Sequence, residues 1–126
     1  MRRTIDAAEN ADALGPYSHG ATDGHLVFTA GQIPVTPAGD VLSDEPIGVQ
    51  TAQSLANVQR ILDEADLGFK DVLKVTVYLT TIDDLEMMNE VYQDHFGPNP
   101  PPRTAIQVAR LAADADVEIE VVATRR

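Results

Sequence analysis

The chain has 126 residues, enough for one domain that buries its own core without a disulfide or metal staple. It contains no cysteine, which excludes disulfides, thiolate metal sites and a thiol nucleophile. Twenty acidic residues against nine basic ones give a net charge of -11, a field that repels phosphate backbones and disfavours nucleic acid as a partner.

Met1 to Asp6 lack the apolar run of a signal peptide. No segment reaches the roughly 20 apolar residues that span a bilayer, so a cytoplasmic protein is expected. The first periodic signal is a hairpin. Ser18 to Thr22 leads through Asp23-Gly24, which accepts the positive φ of a tight turn, into His25 to Ala30. Gly31-Gln32-Ile33-Pro34 ends that strand, and Thr36 to Asp40 reads as a further turn. A helix follows from about Pro46 to Ala65, with Thr51, Leu55, Val58 and Leu62 on one stripe and Leu67-Gly68 closing it. Val72 to Thr80 reads as a strand, with Leu73, Val75, Val77 and Leu79 on one face. A second helix is expected from about Asp84 to Phe96, opened by a capping box of Asp83 with Glu86. Leu85, Met88, Tyr92 and Phe96 form its apolar stripe.

Gly97 to Pro102 holds three consecutive prolines and is a stiff extended connection. Two strands finish the chain, Arg103 to Ala109 and Val117 to Ala123. Alternation groups Arg103, Ala105 and Gln107 on one face of the first, and Glu118, Glu120 and Val122 on one face of the second. The order predicts an α+β fold in which two helices cover one face of a sheet. The other face stays open, carries Arg103, Glu118, Glu120 and apolar Val122, and is expected to drive self-association. The charge does not signal disorder, because 44% of residues are hydrophobic and patterned. Only two lysines occur, Lys70 and Lys74, and an acidic, lysine-poor surface suits solvation in concentrated salt.

The candidate chemistry lies in Arg103 and Glu118. An arginine at the head of a strand beside rigid prolines is placed for bidentate carboxylate recognition, and a carboxylate on a nearby strand can position water or carry a proton. The same pair also fits a structural salt bridge. Tyr17, after Gly15-Pro16, offers a hydroxyl at a turn, and Asn89 sits beside the buried stripe of the second helix. His19, His25 and His95 lack metal-ligand spacing, the serines lack a nucleophile elbow, and no phosphate-binding glycine loop occurs. No metal or cofactor is expected.

Arg103-Thr104-Ala105-Ile106-Gln107-Val108-Ala109-Arg110-Leu111 followed by Val117-Glu118-Ile119 is similar to the C-terminal signature of the Rid/YjgF family. Gly15-Pro16-Tyr17-Ser18, Ala30-Gly31-Gln32-Ile33-Pro34 and Gln53-Ser54-Leu55-Ala56-Asn57-Val58 agree in order and spacing. The resemblance covers nearly the whole chain, and Tyr17, Arg103 and Glu118 point to the RidA type. It implies a chorismate-mutase-like fold and a homotrimer with clefts between subunits. The implied activity is hydrolysis of enamines and imines, such as 2-aminoacrylate, to 2-keto acids and ammonia, which protects pyridoxal-phosphate enzymes. It also implies roles residue by residue. Arg103 holds the substrate carboxylate, Glu118 serves the hydrolytic water and proton transfer, and Tyr17 orients the ligand. Asn89 stands at the site's edge, and the Gly31 backbone lines the cleft. Ala105 takes a substrate-binding position where many members carry a cysteine, and His19 stands where glutamine is usual. The competing readings are an endoribonuclease, which the net charge disfavours, and a metabolite-binding or chaperone-like protein, which needs no Arg–Glu pair.

Overall fold

The apolar stripes locate the core. In the computed structural model, which describes residues 1–125, helix α1 spans Ile47–Glu64 with Pro46 just before its first turn. Thr51, Leu55, Val58 and Leu62 are fully buried along it, as their spacing predicts, and Ile61 joins them. Helix α2, Leu85–Phe96, buries Met88 and Tyr92 and packs Leu85 and Phe96 against the same cluster. The strands are β1 (Arg3–Ile5), β2 (Gly20–Thr22), β3 (Leu26–Thr29), β4 (Val72–Leu79), β5 (Arg103–Gln107) and β6 (Val117–Thr124). They form one sheet in the order β1-β2-β3-β6-β4-β5. Every neighbouring pair is antiparallel except β4 and β5. Those two are parallel and so need a crossover, which α2 supplies. Val27, Val75, Val77, Leu79, Val117, Ile119, Val121 and Ala123 line the sheet's side of the core. Each large aliphatic buried there stabilises the fold by about 1.5–3 kcal/mol relative to exposure, so this layer holds the α+β architecture together.

Several local expectations give way to specific physical causes. Helix α1 closes just before Leu67-Gly68. Asp66 adopts φ 58°, its N–H bonds the Asp63 carbonyl at 3.0 Å, and the Leu67 N–H bonds the Leu62 carbonyl at 2.9 Å. This is a Schellman closure with aspartate, a residue that tolerates the left-handed region, where glycine is usual. In β4 the register shifts between Val72 and Lys74. The extra residue reverses the alternation, so Val72 is buried and Leu73 is half-exposed instead of sharing the face of Val75. The capping box at Asp83 does not form, because Ile82–Asp84 already turn as a short 3-10 segment that runs into α2 without a side-chain cap. Strand β1 leaves no signal in the sequence, because three residues are too few to show a period.

The largest departure concerns β5. Its parallel register pairs Arg103 with Val75, Ala105 with Val77 and Ile106 with Tyr78. Residues paired across strands share a face, so Arg103 and Ala105 lie on the helix-covered side. Thr104 and Ile106 lie on the open side with Glu118, Glu120, Tyr78, Phe28 and Val122. The expectation that Arg103 and Glu118 share the open face is therefore overturned. The apolar alternation of β5 faces the uncovered surface, and only small Ala105 packs into the core. Phe28 and Ile106 are exposed there at 52% and 42%.

Candidate active site

Arg103 follows directly on Pro100-Pro101-Pro102, so stiff backbone delivers it to the sheet edge. Its guanidinium carbon stands 4.6 Å from the ring centroid of Tyr92 on α2. Tyr92 in turn stacks on Phe96 at 4.6 Å, and Phe96 meets Phe69 edge-on at 4.9 Å. An aromatic shelf of this kind holds a cation by its face while leaving the N–H fork free. The fork borders a cleft of about 360 Å³ lined by Asn89, Tyr92, Gln93, Pro100, Pro101 and Arg103. Among the described residues the ion pairs are Arg60 with Glu9 and Arg110 with Asp114, and neither engages Arg103. The Asn89 Oδ1 and the Tyr92 hydroxyl beside it are buried without hydrogen-bond partners among the described residues. Burial pushes the Tyr92 phenol up, against the smaller opposing pull of the Arg103 charge.

Glu118 belongs to a second cluster on the other side of the sheet. It lies between buried Val117 and Ile119 on β6, with its carboxylate packed on the backbone of Gly31. A methyl group at Gly31 would collide with Glu118 Oε2 and stand 2.7 Å from Cδ, so only glycine leaves the carboxylate this place. The Gly31 turn is stitched to β6 next door. The Gln32 N–H donates to the Ile119 carbonyl at 2.8 Å, and the Ile119 N–H returns to the Gln32 carbonyl at 3.1 Å. Asn57 on α1 fixes the far end of the turn by donating to the carbonyls of Ile33 and Val35 at 3.2 and 2.9 Å. Burial, and then the charge of Glu120 two residues on, push the Glu118 carboxyl above its ordinary range. Glu120 itself accepts the Tyr78 hydroxyl at 2.5 Å, and that bond pushes the Tyr78 phenol up to about 12. Tyr17 is half-exposed nearby. Its phenol oxygen accepts the Leu14 N–H at 3.4 Å, and it shares a small cavity wall with Gly31.

The expected site residues thus fall into two groups. Tyr17, Gly31 and Glu118 converge on the open side, whereas Arg103, Asn89 and Ala105 belong to the helix-covered edge. Arg103 and Glu118 stand on either side of β4, paired with Val75 and Tyr78 respectively, and point to opposite faces. A salt bridge between them within one chain is excluded. Tyr92, Tyr78, Glu120 and His19 also enter the surroundings, and the sequence pattern alone assigns none of them a site role. For Glu120 a signal exists, since it shares a strand face with Glu118. For Tyr92 there is none, because a stripe aromatic reads as core. Among the described residues no cluster of His, Cys, Asp or Glu could hold a metal ion, and no helix is long and apolar enough to cross a membrane.

The chain is similar to known proteins along nearly its whole length. The sequence profile of the family described as endoribonuclease L-PSP matches residues 7–125. A 2-iminobutanoate/2-iminopropanoate deaminase of Escherichia coli is 40% identical, and the match covers 100% of each chain. A RutC family protein of Pyrococcus horikoshii is 41% identical over 98% of each. The crystal structure of Escherichia coli TdcF with bound serine superposes with a TM-score of 0.90 at 38% identity, covering 98% of this chain and 99% of that one.

Proposed function

The chain belongs to the endoribonuclease L-PSP family, also called Rid/YjgF, and on that premise we propose that it hydrolyses imines of small 2-amino acids, without a cofactor, to 2-keto acids and ammonia. The observation that carries the reading is Arg103. A guanidinium on an aromatic shelf, at the rim of a cleft and free of carboxylate partners among the described residues, is a receptor for an anion on a chain of net charge -11. An imine such as 2-iminopropanoate supplies that carboxylate, and relatives named for this deamination share the chain's whole length.

The chemistry then follows from the second cluster. Protonation of the enamine carbon of 2-aminoacrylate gives the imine. Water adds to the imine carbon and gives one proton to nitrogen, forming a carbinolamine. The hydroxyl proton then also passes to nitrogen as the C=O bond forms and the C–N bond breaks, releasing ammonia and pyruvate. A carboxyl raised by burial and by Glu120 holds a proton nearer to neutrality than an ordinary glutamate. That suits Glu118 to take a proton from water and return it to the leaving nitrogen. Tyr17 shares a cavity wall with Gly31, against whose backbone Glu118 packs. Removal of reactive imines in this way protects pyridoxal-phosphate enzymes that release them.

A ligand anchored on Arg103 meets the Glu118 of a different copy, since the two point to opposite faces of their own sheet. We therefore read the active form as a homotrimer, with the open face covered by neighbours and each cleft shared by two subunits. The decisive assay generates 2-aminoacrylate with a pyridoxal-phosphate dehydratase and follows pyruvate with and without this protein. Faster release with wild type but not with Arg103→Ala is the expected result. No acceleration by a folded wild type, on this or a larger imine, leaves binding without catalysis. The family's description also raises RNA cleavage, which the chain's charge opposes. Intact RNA after incubation at low and high salt removes that reading.

A further inference from the structure

One imidazole holds the loop that carries Tyr17. His19 is 7% exposed. Its Nδ1 accepts the Ala7 N–H at 3.0 Å, and a backbone amide can only donate. Nδ1 is therefore unprotonated, the ring proton sits on Nε2, and Nε2 donates to the Ala11 carbonyl at 3.0 Å. The gripped loop runs on to Leu14, whose N–H reaches the Tyr17 phenol oxygen. The His19 carbonyl accepts the Ala30 N–H at 2.8 Å, one residue before Gly31. His19, Leu14, Tyr17 and Gly31 also line one cavity of about 30 Å³. The same residue thus joins the Tyr17 loop to the Gly31 turn.

We propose that His19 is a positioning residue that sets Tyr17 against the Gly31 turn, and that this support is released when the ring takes up a second proton. The proposal rests on reading Tyr17 as a residue of the imine site. The imidazolium carries two N–H groups and no acceptor, so it opposes the Ala7 N–H with a second donor. Other charges stand around it. The Asp6 carboxylate accepts the His19 backbone N–H at 3.4 Å, and Asp12 and Tyr17 share the cavity wall. Glu9 pairs with Arg60 of α1 on the same loop, and Glu118 lies behind Gly31. Residues 31–35 add no titratable group. Both ring nitrogens are engaged by backbone, so the protonation state of the ring decides whether the loop is held.

Glutamine offers one acceptor and one donor and does not titrate, so His19→Gln keeps the grip at every pH, whereas His19→Ala removes it. The pH profile of kcat/KM for 2-aminoacrylate hydrolysis is measured for all three proteins, with hydrogen-exchange protection of the Ala7 and Leu14 amides alongside. On acidification wild type is expected to lose at least about fivefold more kcat/KM than His19→Gln, together with amide protection that His19→Gln keeps. His19→Ala is low throughout. An equal acid loss in wild type and His19→Gln overturns the proposal, because the Glu118 carboxyl is common to both and cancels from the comparison. Should His19→Ala fail to fold, wild type against His19→Gln decides. Should none of them hydrolyse the imine, the functional reading fails and the exchange data stand alone. Protection lost on acidification in wild type but kept in His19→Gln upholds the role of His19, and equal protection ends it.

Discussion

The two halves of the proposed site are built by opposite means. The Arg103 half is assembled from packing, in which three prolines fix the backbone and Tyr92, Phe96 and Phe69 form a stack beneath the guanidinium. Few hydrogen bonds position it, and two polar atoms beside it, Asn89 Oδ1 and the Tyr92 hydroxyl, stay unpartnered among the described residues. The Glu118 half is assembled from hydrogen bonds, through the Gln32–Ile119 bridge, the Asn57 anchor and the imidazole of His19. An anchor for a carboxylate needs a free fork, which packing leaves available. A carboxylate that handles protons needs fixed surroundings that bias its charge, which a hydrogen-bonded scaffold supplies. The contrast teaches that each half is specified locally, while the sheet between them prevents their union in one chain.

Breaking the packed half gives the largest effect. Arg103→Ala should cost about 3 kcal/mol of transition-state binding, roughly a hundredfold in kcat/KM, because the carboxylate of the proposed substrate loses its charged partner. The melting temperature should fall only slightly, since one cation–π contact with Tyr92 and no described ion pair is lost; a large drop would make Arg103 a structural residue. Breaking the other half is subtler. Gly31→Ala puts a methyl group against the far end of the flexible Glu118 side chain, not against backbone. The carboxylate should swing aside, and activity should fall about tenfold or more, since a misplacement of about 1 Å is that costly. Thermal stability should change little. Equal losses of stability and activity would show that the glycine serves the fold.

The separation of the halves is itself open to test. Arg103→Ala and Glu118→Gln should each be severely impaired alone. After co-refolding in equal amounts, about a quarter of the shared clefts in the proposed trimer, randomly mixed, would contain both native groups, so activity should return to that fraction. No recovery, with mixed oligomers confirmed by mass, would place both groups in a cleft of one chain and contradict the face assignment.

That assignment shows where sequence pattern is informative and where it stops. The stripes of α1 and α2, the Asp23-Gly24 hairpin and the β6 alternation were readable, because burial against a core enforces one period. The side on which β5 presents Arg103 was not. Thr104 and Ile106 look like a core face, and nothing in the strand says that their cover is outside the chain. Leu73 misled for a similar reason, since a bulge changes the parity of a strand without any mark in composition. Arg103, Glu118, Tyr17, Gly31 and Asn89 were identifiable as a set by resemblance. Their division into two clusters depends on the β4–β5 register, which only the folded sheet supplies.

The smallest effect concerns the cost of holding Glu118 ready for chemistry. Burial first, and Glu120 second, raise its carboxyl above the ordinary value. The folded chain then binds that proton more tightly than the unfolded chain does. The sign follows: this contribution to stability is fully present below the unfolded carboxyl value, about 4.3, and is lost as the pH rises through the higher folded value. Ionised Glu118 is thus a burden near neutrality, and Glu118→Gln, which mimics the neutral form, should melt above wild type at about pH 7.5. The gap should close as the pH falls toward about 4, where wild type is protonated as well. On a Glu120→Gln background the gap should narrow but persist, because desolvation is the larger cause and Glu120 the smaller. Scanning calorimetry of the four proteins across this range measures all three statements. A gap that does not vary with pH would mean that the amide introduced by Glu118→Gln stabilises by packing alone. The strain attributed to the ionised carboxylate, and with it the physical basis for its proton-handling role, would then be absent.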